Sequence, residues 1–166
     1  MSLTGKPALT TSAALANDGF WPDVALGDLL SKYRVPAEYA DETIKTGVML
    51  SMVRVNKKLA KVETAIIALG YVTLQAYCDA NIQQIAGEDV LILQYRHAVF
   101  CRAKAFLLRQ FPTVNRRPVA ENEAKEAPET EQYWLDQSQA AIASFFELFL
   151  PDEAVAAQDG VYVALL

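Results

Sequence analysis

The 166-residue chain is poor in the residue types that metal sites and nucleophilic catalysts use. It has a single histidine, His97, and two cysteines, Cys78 and Cys101. A closed zinc site needs four protein ligands, and no third ligand accompanies His97 and Cys101 at a suitable spacing. Both cysteines lie in apolar surroundings, so we predict free, buried thiols in a reducing compartment rather than a disulfide.

Motifs of known enzyme classes are also missing. The seven glycines are scattered singly, which excludes a glycine-rich phosphate loop. Asp41-Glu42 and Asp152-Glu153 are adjacent pairs, and neighbouring helical residues point about 100° apart, so solvated caps are favoured over acid–base pairs. Cys101 could serve as a nucleophile with His97 as base only if both faced a cleft. We therefore predict that the protein is not an enzyme and has no catalytic, cofactor-binding or metal-ligating residue. An enzyme without a recognisable motif stays the alternative.

The net charge and the hydropathy of the chain restrict its possible functions and location further. The net charge of −5 argues against a protein that binds nucleic acid over its whole surface, although it allows a local basic patch. No signal-peptide core opens the sequence, and no charge-free apolar run is long enough to span a bilayer. We expect no membrane contact and a protein that stays in the cytosol where it is made. The length suits one domain with a sizeable core.

The dominant feature is a helical stripe between Pro36 and Gly70. Apolar side chains recur every three or four positions, which predicts a helix and excludes a strand. The stripe comprises Ala40, Ile44, Val48, Met52, Val55, Leu59, Val62, Ile66 and Leu69. Pro36 fits the first turn and Gly70 fits a left-handed residue just past the end. Gly47 costs about 1 kcal/mol in a helix interior, and permits a bend or a close neighbour.

Shorter elements flank this helix. Phe20-Trp21 is predicted to anchor the start of the folded part, and Asp23 could cap a short helix whose apolar residues face inward. Residues 71–77 fit either an extended connector or a helical turn. A second long helix is predicted from about residue 88 to 110, ended by Phe111-Pro112.

The C-terminal half completes an all-α fold of four to five helices. Thr130 can cap a last helix over about residues 131–150, stopped by Pro151. Trp134 and Phe145 on this helix are predicted to be buried or interfacial. We divide the chain into a flexible N-terminal arm (1–19), a helical domain (20–150) containing a polar loop (112–130), and an extended, strand-like C-terminal tail (151–166).

Two basic clusters are candidate contact surfaces. Arg54, Lys57, Lys58 and Lys61 recur at helical spacing on the long helix, opposite much of its apolar stripe. Arg116-Arg117 lies in the polar loop. A solvated helix face is the simpler interpretation, while the functional one is contact with an acidic protein rim or with a DNA backbone, since clustered Lys and Arg suffice for non-specific phosphate contacts.

The order of segments resembles the head completion/stabilisation protein family (GPL type) of temperate contractile-tailed bacteriophages. The resemblance covers about residues 20–150. It is carried by Phe20-Trp21-Pro22-Asp23, Val35-Pro36-Ala37, Ile44-Lys45-Thr46-Gly47, Leu69-Gly70-Tyr71 with Leu74, Tyr95-Arg96-His97-Ala98-Val99 continuing to Phe111, and Trp134-Leu135-Asp136.

The resemblance implies a non-enzymatic structural virion protein and an antiparallel helical bundle similar to phage head–tail adaptors. Such a protein would complete and stabilise the DNA-filled head at the portal vertex and provide the site of tail attachment. Its partners would be the portal and tail-completion proteins, with a homo-oligomeric ring on the portal and non-specific contact with packaged DNA. It would act in the host cytoplasm during assembly and then at the head–tail junction. The alternative is a small helical binding module or regulator that contacts an acidic partner through its Lys/Arg face.

Overall fold

The computed structural model describes residues 14–35, 39–114 and 130–153, without the side chains of 111–114. Within these ranges the helices of seven residues or more are α1 (Leu26–Lys32), α2 (Asp41–Ala68), α3 (Leu74–Ala80), α4 (Val90–Val114) and α5 (Glu131–Phe149). Two short antiparallel pairs join β1 (Ala14–Leu15) to β2 (Val24–Ala25) and β3 (Gln84–Ile85) to β4 (Glu88–Asp89). The all-α prediction is confirmed.

Helix α4 lies between α2 and α5 and packs against both. It runs antiparallel to α2, because Asn56 of α2 bonds Tyr95 near the start of α4, whereas Gly47, earlier in α2, meets Phe106 near its end. A Cβ atom on Gly47 would lie 2.7 Å from Cδ1 of Phe106, which is closer than carbon atoms normally approach. The glycine is thus required for close packing of the two helices, one of the two uses predicted for it.

Helices α4 and α5 also run antiparallel. Ser138 Oγ donates to the carbonyl of Ala98 over 2.8 Å, and Arg109 pairs with Glu131 nearer the other end of the helix pair. Ser138 is fully buried, so its hydroxyl needs such a partner to avoid the cost of desolvation. The long helices therefore form an up–down–up bundle with α4 in the centre.

The predicted stripe of α2 forms its buried face. All seven residues from Ile44 to Ile66 in the stripe are buried, whereas Ala40 and Leu69, the caps at the two ends of the helix, are exposed. It begins at Asp41, with Ala40 as an extended N-cap, rather than near Pro36, which lies outside the described residues. Gly70 adopts a left-handed φ of 96° after the last turn, as predicted.

The N-terminal segment is tied to the core through Trp21. Its ring stacks on Tyr95 with centroids 5.0 Å apart and meets the edge of Phe145 at 6.0 Å. Asn17 donates from Nδ2 to Tyr95 Oη over 2.7 Å, and β1 pairs with β2. Trp21 is thus the anchor expected of the aromatic pair. Residues 14–19, assigned to the arm by sequence, are held to the folded body, while 1–13 lie outside the described residues.

At the two short helices, the residues predicted to start each helix agree with the structure only in part. Helix α1 begins after Ala25 without a side-chain cap, and the Asp23 carboxylate instead accepts the backbone N–H of Asn17. The inward-facing side of α1 is as expected, with Leu26 and Leu29 buried. The ambiguous 71–77 segment contributes the start of α3, because the Thr73 hydroxyl accepts the N–H of Ala76 and caps a helix there.

The ends of α4 also differ from the prediction. Glu88 belongs to β4, so the helix begins at Val90, after a hairpin whose turn uses positive φ at Ala86 and Gly87. At its other end, α4 continues through Pro112 to Val114, although a proline inside a helix removes one backbone hydrogen bond and crowds the preceding turn. The polar loop is therefore shorter than 112–130, and its residues 115–129 lie outside the described ranges.

The last helix agrees closely with the prediction. Thr130 Oγ1 accepts the N–H of Tyr133 over 3.1 Å, and α5 ends at Phe149, just before Pro151. Phe145 is fully buried as predicted, and Trp134 is half-buried beside Tyr33. Residues 151–153 add one further helical turn, and the rest of the predicted tail lies outside the described residues.

Candidate functional site

A groove lined by several cationic side chains lies between the C-terminal half of α4 and its two neighbours, α2 and α5. We call it the basic groove and define it by Arg54, Lys58, Arg102 and Arg109. It encloses a cavity of about 250 Å³. The cavity lining comprises Arg54, Arg102, Ala105, Phe106, Arg109, Gln110, Glu131 and Leu135.

Helical spacing brings these cations together. Arg54 and Lys58 are four residues apart on α2, and Arg102 and Arg109 are seven apart on α4, so each pair lies on one side of its helix. The antiparallel packing of α2 and α4 then sets the two pairs against each other. Sequence analysis found the α2 members but missed Arg102 and Arg109, because nothing in the sequence alone shows which faces of the two helices meet.

The groove concentrates like charge. Burial, and then the neighbouring Arg54, lower the pKa of Arg102. Burial and Arg102 likewise lower the pKa of Lys58. Nε of Arg102 is buried and makes no hydrogen bond with any described residue. Such an arrangement favours an anion, since a bound carboxylate or phosphate would offset the mutual repulsion.

The cluster predicted on α2 is divided by the fold. Lys58 donates to Gln139 of α5, and Lys61 pairs with Glu153 at 2.8 Å. Lys57 is exposed. Arg54 joins Arg102 in the groove, and the second predicted cluster, Arg116-Arg117, lies outside the described residues.

We predict that Lys57→Ala and Lys61→Ala leave the fold intact. Both side chains are exposed, and surface ion pairs such as Lys61–Glu153 contribute only about 0–1 kcal/mol. Urea unfolding of the two variants should therefore give free energies close to that of the wild type. A large loss in either variant would show that the lysine has a structural role.

The only histidine lies with Cys101 and Tyr33 in a half-buried cluster. A hydrogen bond of 2.6 Å joins Tyr33 Oη to His97 Nδ1, and Cys101 Sγ lies 3.5 Å from His97 Nε2. Burial raises the pKa of Cys101 to about 12 and lowers that of His97. Both groups are thereby kept neutral near pH 7, and a neutral thiol is a poor nucleophile. The cluster therefore stabilises the packing of α1 on α4.

Burial of this thiol predicts a loss of stability at alkaline pH. The pKa of Cys101 is 9.0 ordinarily and about 12 in the fold, so its contribution is fully present below 9 and is lost as the pH rises toward 12. In that window the unfolded chain releases the proton and the folded chain keeps it. Urea unfolding across this range should show a decline that is shallower in Cys101→Ala. Equal slopes in the two proteins would contradict the assignment.

Lys104 of α4 is a buried cation. It is only 4% exposed. Its Nζ donates to the backbone carbonyls of Tyr33 and Arg34, over 2.8 Å each, and lies 5.8 Å from the centre of the Trp134 ring. Lys104 therefore holds the end of α1 against α4 and α5, and it contributes to the fold rather than to a surface.

No three His, Cys, Asp or Glu side chains in the described ranges come together as metal ligands. None of the described helices combines the length and apolar character needed to cross a bilayer. Cys78 and Cys101 are buried and free, as predicted.

Comparison with known proteins gives the class: a structural component of phage heads. The family model described as "Phage head completion protein (GPL)" matches residues 15–147, and the chain belongs to this family. It is 28% identical over 110 residues to the "Probable head completion/stabilization protein" of Haemophilus phage HP1 (strain HP1c1), which covers 65% of this chain and 70% of that protein. No solved structure gives a significant match. The resemblance drawn from the sequence is therefore confirmed.

Proposed function

We propose that this protein completes and stabilises the DNA-filled head at the portal vertex and there provides the site for tail attachment. The observation that carries the proposal is the family match over residues 15–147, which spans α1 to α4 and all but the last two residues of α5. A rigid helical body whose surface offers a charged groove and exposed apolar side chains is suited to such a connector, because it needs binding surfaces rather than an active site.

The proposal includes specific partners and a place of action. The portal and tail-completion proteins are the proposed partners, and the protein would form a homo-oligomeric ring on the portal. It would assemble in the host cytoplasm, after DNA packaging, and remain at the head–tail junction of the virion. The exposed side chains Met49, Leu50 and Val53 on α2 support a protein contact, since Val53 lies one turn from each of the other two, and the apolar patch they form meets the basic groove at Leu50, one turn before Arg54.

The direct test is to mix the purified chain with the portal protein of its own phage. Negative-stain microscopy should show added density at one end of the portal ring. Absence of that density across a range of salt concentrations would overturn the portal assignment. A stable complex with a host protein, and none with the portal, would favour the regulator alternative.

A second proposed contact is with packaged DNA. It is favoured by Lys57, which is exposed on α2 close to Arg54 in sequence, while the chain as a whole carries a net charge of −5. Binding would be independent of sequence and would weaken as salt rises. Fluorescence anisotropy with a labelled duplex should show such binding, and a duplex that does not bind even at low salt would exclude this contact.

A further inference from the structure

The end of the bundle formed by α3 and the β3–β4 hairpin carries a surface that we call the acidic tip, defined by Asp79, Glu88, Asp89, Ile82 and Ile85. Ile82 is 73% exposed and Ile85 is 64% exposed. Two isoleucines so open to water have no role in the core of a single chain. Exposed apolar side chains beside charges are typical of a contact with another protein.

The carboxylates of the tip are held close together. Gln75 Nε2 donates to Asp79 over 2.9 Å and to Asp89 over 3.1 Å, so one amide bridges both. Burial first, and then Asp89 and Asp79, raise the pKa of the adjacent Cys78 thiol to about 11. No lysine or arginine of the described residues forms a salt bridge with Asp79, Glu88 or Asp89. The tip therefore presents negative charge that the described part of the chain does not neutralise.

The complementary surface lies elsewhere on the bundle. We call it the basic face, which comprises Arg54, Lys58 and Arg102 of the groove and the neighbouring apolar patch. Met49 is 50% exposed, Leu50 42% and Val53 64%. Within the described residues, no carboxylate forms a salt bridge with Arg54, Lys58 or Arg102, so the basic face combines positive charge with open apolar surface, as the tip combines negative charge with apolar surface.

The two surfaces cannot meet within one molecule. The tip adjoins the start of α4 at Val90, whereas Arg102 lies twelve residues further along, roughly 18 Å at 1.5 Å per residue. Arg54 faces Arg102 across the groove. Each copy therefore carries both halves of a contact that it can complete only with other copies.

We propose that the acidic tip of one copy docks on the basic face of the next, so that identical subunits join head to tail. This inference rests on the proposed function, for which it supplies the contact between subunits of the ring. Head-to-tail repetition of a single contact generates a ring when the rotation closes. A second copy fits better than DNA, because interfaces with DNA are strongly cationic and polar, whereas the basic face includes three exposed apolar side chains.

The experiment uses two charge-reversed forms of the full chain. One carries Arg54→Glu with Lys58→Glu and keeps an intact tip. The other carries Asp79→Lys with Glu88→Lys and keeps an intact basic face. In sedimentation at low salt, wild type should self-associate with rising concentration, and each form alone should associate at least about tenfold more weakly. Their equimolar mixture should associate again, because the intact tip of the first form meets the intact basic face of the second, and the reversed tip of the second meets the reversed face of the first. Circular dichroism checks that both forms fold, and Lys32→Glu on α1 is the matched control for loss of positive charge.

Several results would overturn the inference. These are a wild type that stays monomeric at every concentration, reversed forms that associate like wild type, and a mixture no larger than its separate components. Loss of duplex DNA binding in the Arg54→Glu form without loss of self-association would assign the basic face to nucleic acid instead. Density on the portal with unchanged assembly of both reversed forms would refute the inference and leave the proposed function standing. Charge-dependent assembly without portal binding would support the inference and overturn the proposed function.

Discussion

Phe145→Ala is expected to lower the free energy of unfolding by roughly 3–5 kcal/mol, the usual cost of removing a buried phenylalanine side chain. Phe145 is fully buried and lies where α5 meets the N-terminal segment. Its ring and that of Trp21 meet at a steep angle, and Trp21 also stacks on Tyr95 of α4. The cavity would therefore open where three parts of the chain meet, and it could not be filled without shifting all of them.

Urea unfolding at neutral pH measures this effect, and α5 offers a matched control. Leu148 lies one turn further along the helix and is 48% exposed. Leu148→Ala should cost well under half as much, because nearly half of its surface already contacts water and the side chain is smaller than that of Phe145. A loss below about 1 kcal/mol in Phe145→Ala would show that the assigned packing is wrong.

Lys104→Met should lower the free energy of unfolding by about 2–4 kcal/mol. Methionine keeps the length and volume of the side chain but removes two charge-assisted hydrogen bonds to the carbonyls of Tyr33 and Arg34. Those carbonyls would be left without the donor that holds the end of α1 to α4. Arg34 also adopts a positive φ of 49°, which is uncommon for a residue other than glycine, so the backbone just after α1 needs stabilising contacts.

The control for this variant is the same exchange at an exposed lysine of α2. Lys57→Met removes a charge of the same kind without removing a buried contact, and should change stability by less than about 0.5 kcal/mol. Thermal unfolding of both variants gives the comparison. A Lys104→Met protein as stable as Lys57→Met would mean that the lysine is not the anchor of α1.

The long helices could be predicted because their signals are repeated many times. Seven consecutive members of the α2 stripe, from Ile44 to Ile66, are buried as their spacing requires. In a helix that long, a single residue that departs from the pattern does not change the prediction. Gly70 marks the end of the helix by a backbone conformation that glycine adopts easily. Only the first turn was misplaced, since Pro36 suits the start of a helix but does not by itself determine where the helix starts.

Features that depend on tertiary contacts could not be predicted. Asp23 has the chemistry of an N-cap, yet its carboxylate binds Asn17 because β1 folds back on β2. Lys104 has a side chain typical of a protein surface, yet it is buried, and its ammonium group donates to two backbone carbonyls at the end of α1. In each case a partner in another element of the fold, which no local pattern reveals, determines the outcome.

The basic groove, as a candidate functional surface, could not be predicted from the sequence for the same reason. Four cations at helical spacing on α2 were visible in the sequence, but their division between Gln139, Glu153, solvent and Arg102 follows from the packing of α4 and α5. The segment order, by contrast, was sufficient to indicate the family, because it is spread over most of the chain. Family membership was thus easier to predict than the surface through which the protein acts.

Filled heads assembled without this protein provide the most direct test of its role. Heads from a phage lacking the gene would be purified after DNA packaging, and the nuclease-resistant DNA would be measured with and without added protein. We predict that these heads lose DNA, and that the added chain restores both its retention and the joining of tails. Heads that keep their DNA and accept tails equally well without the protein would contradict the account.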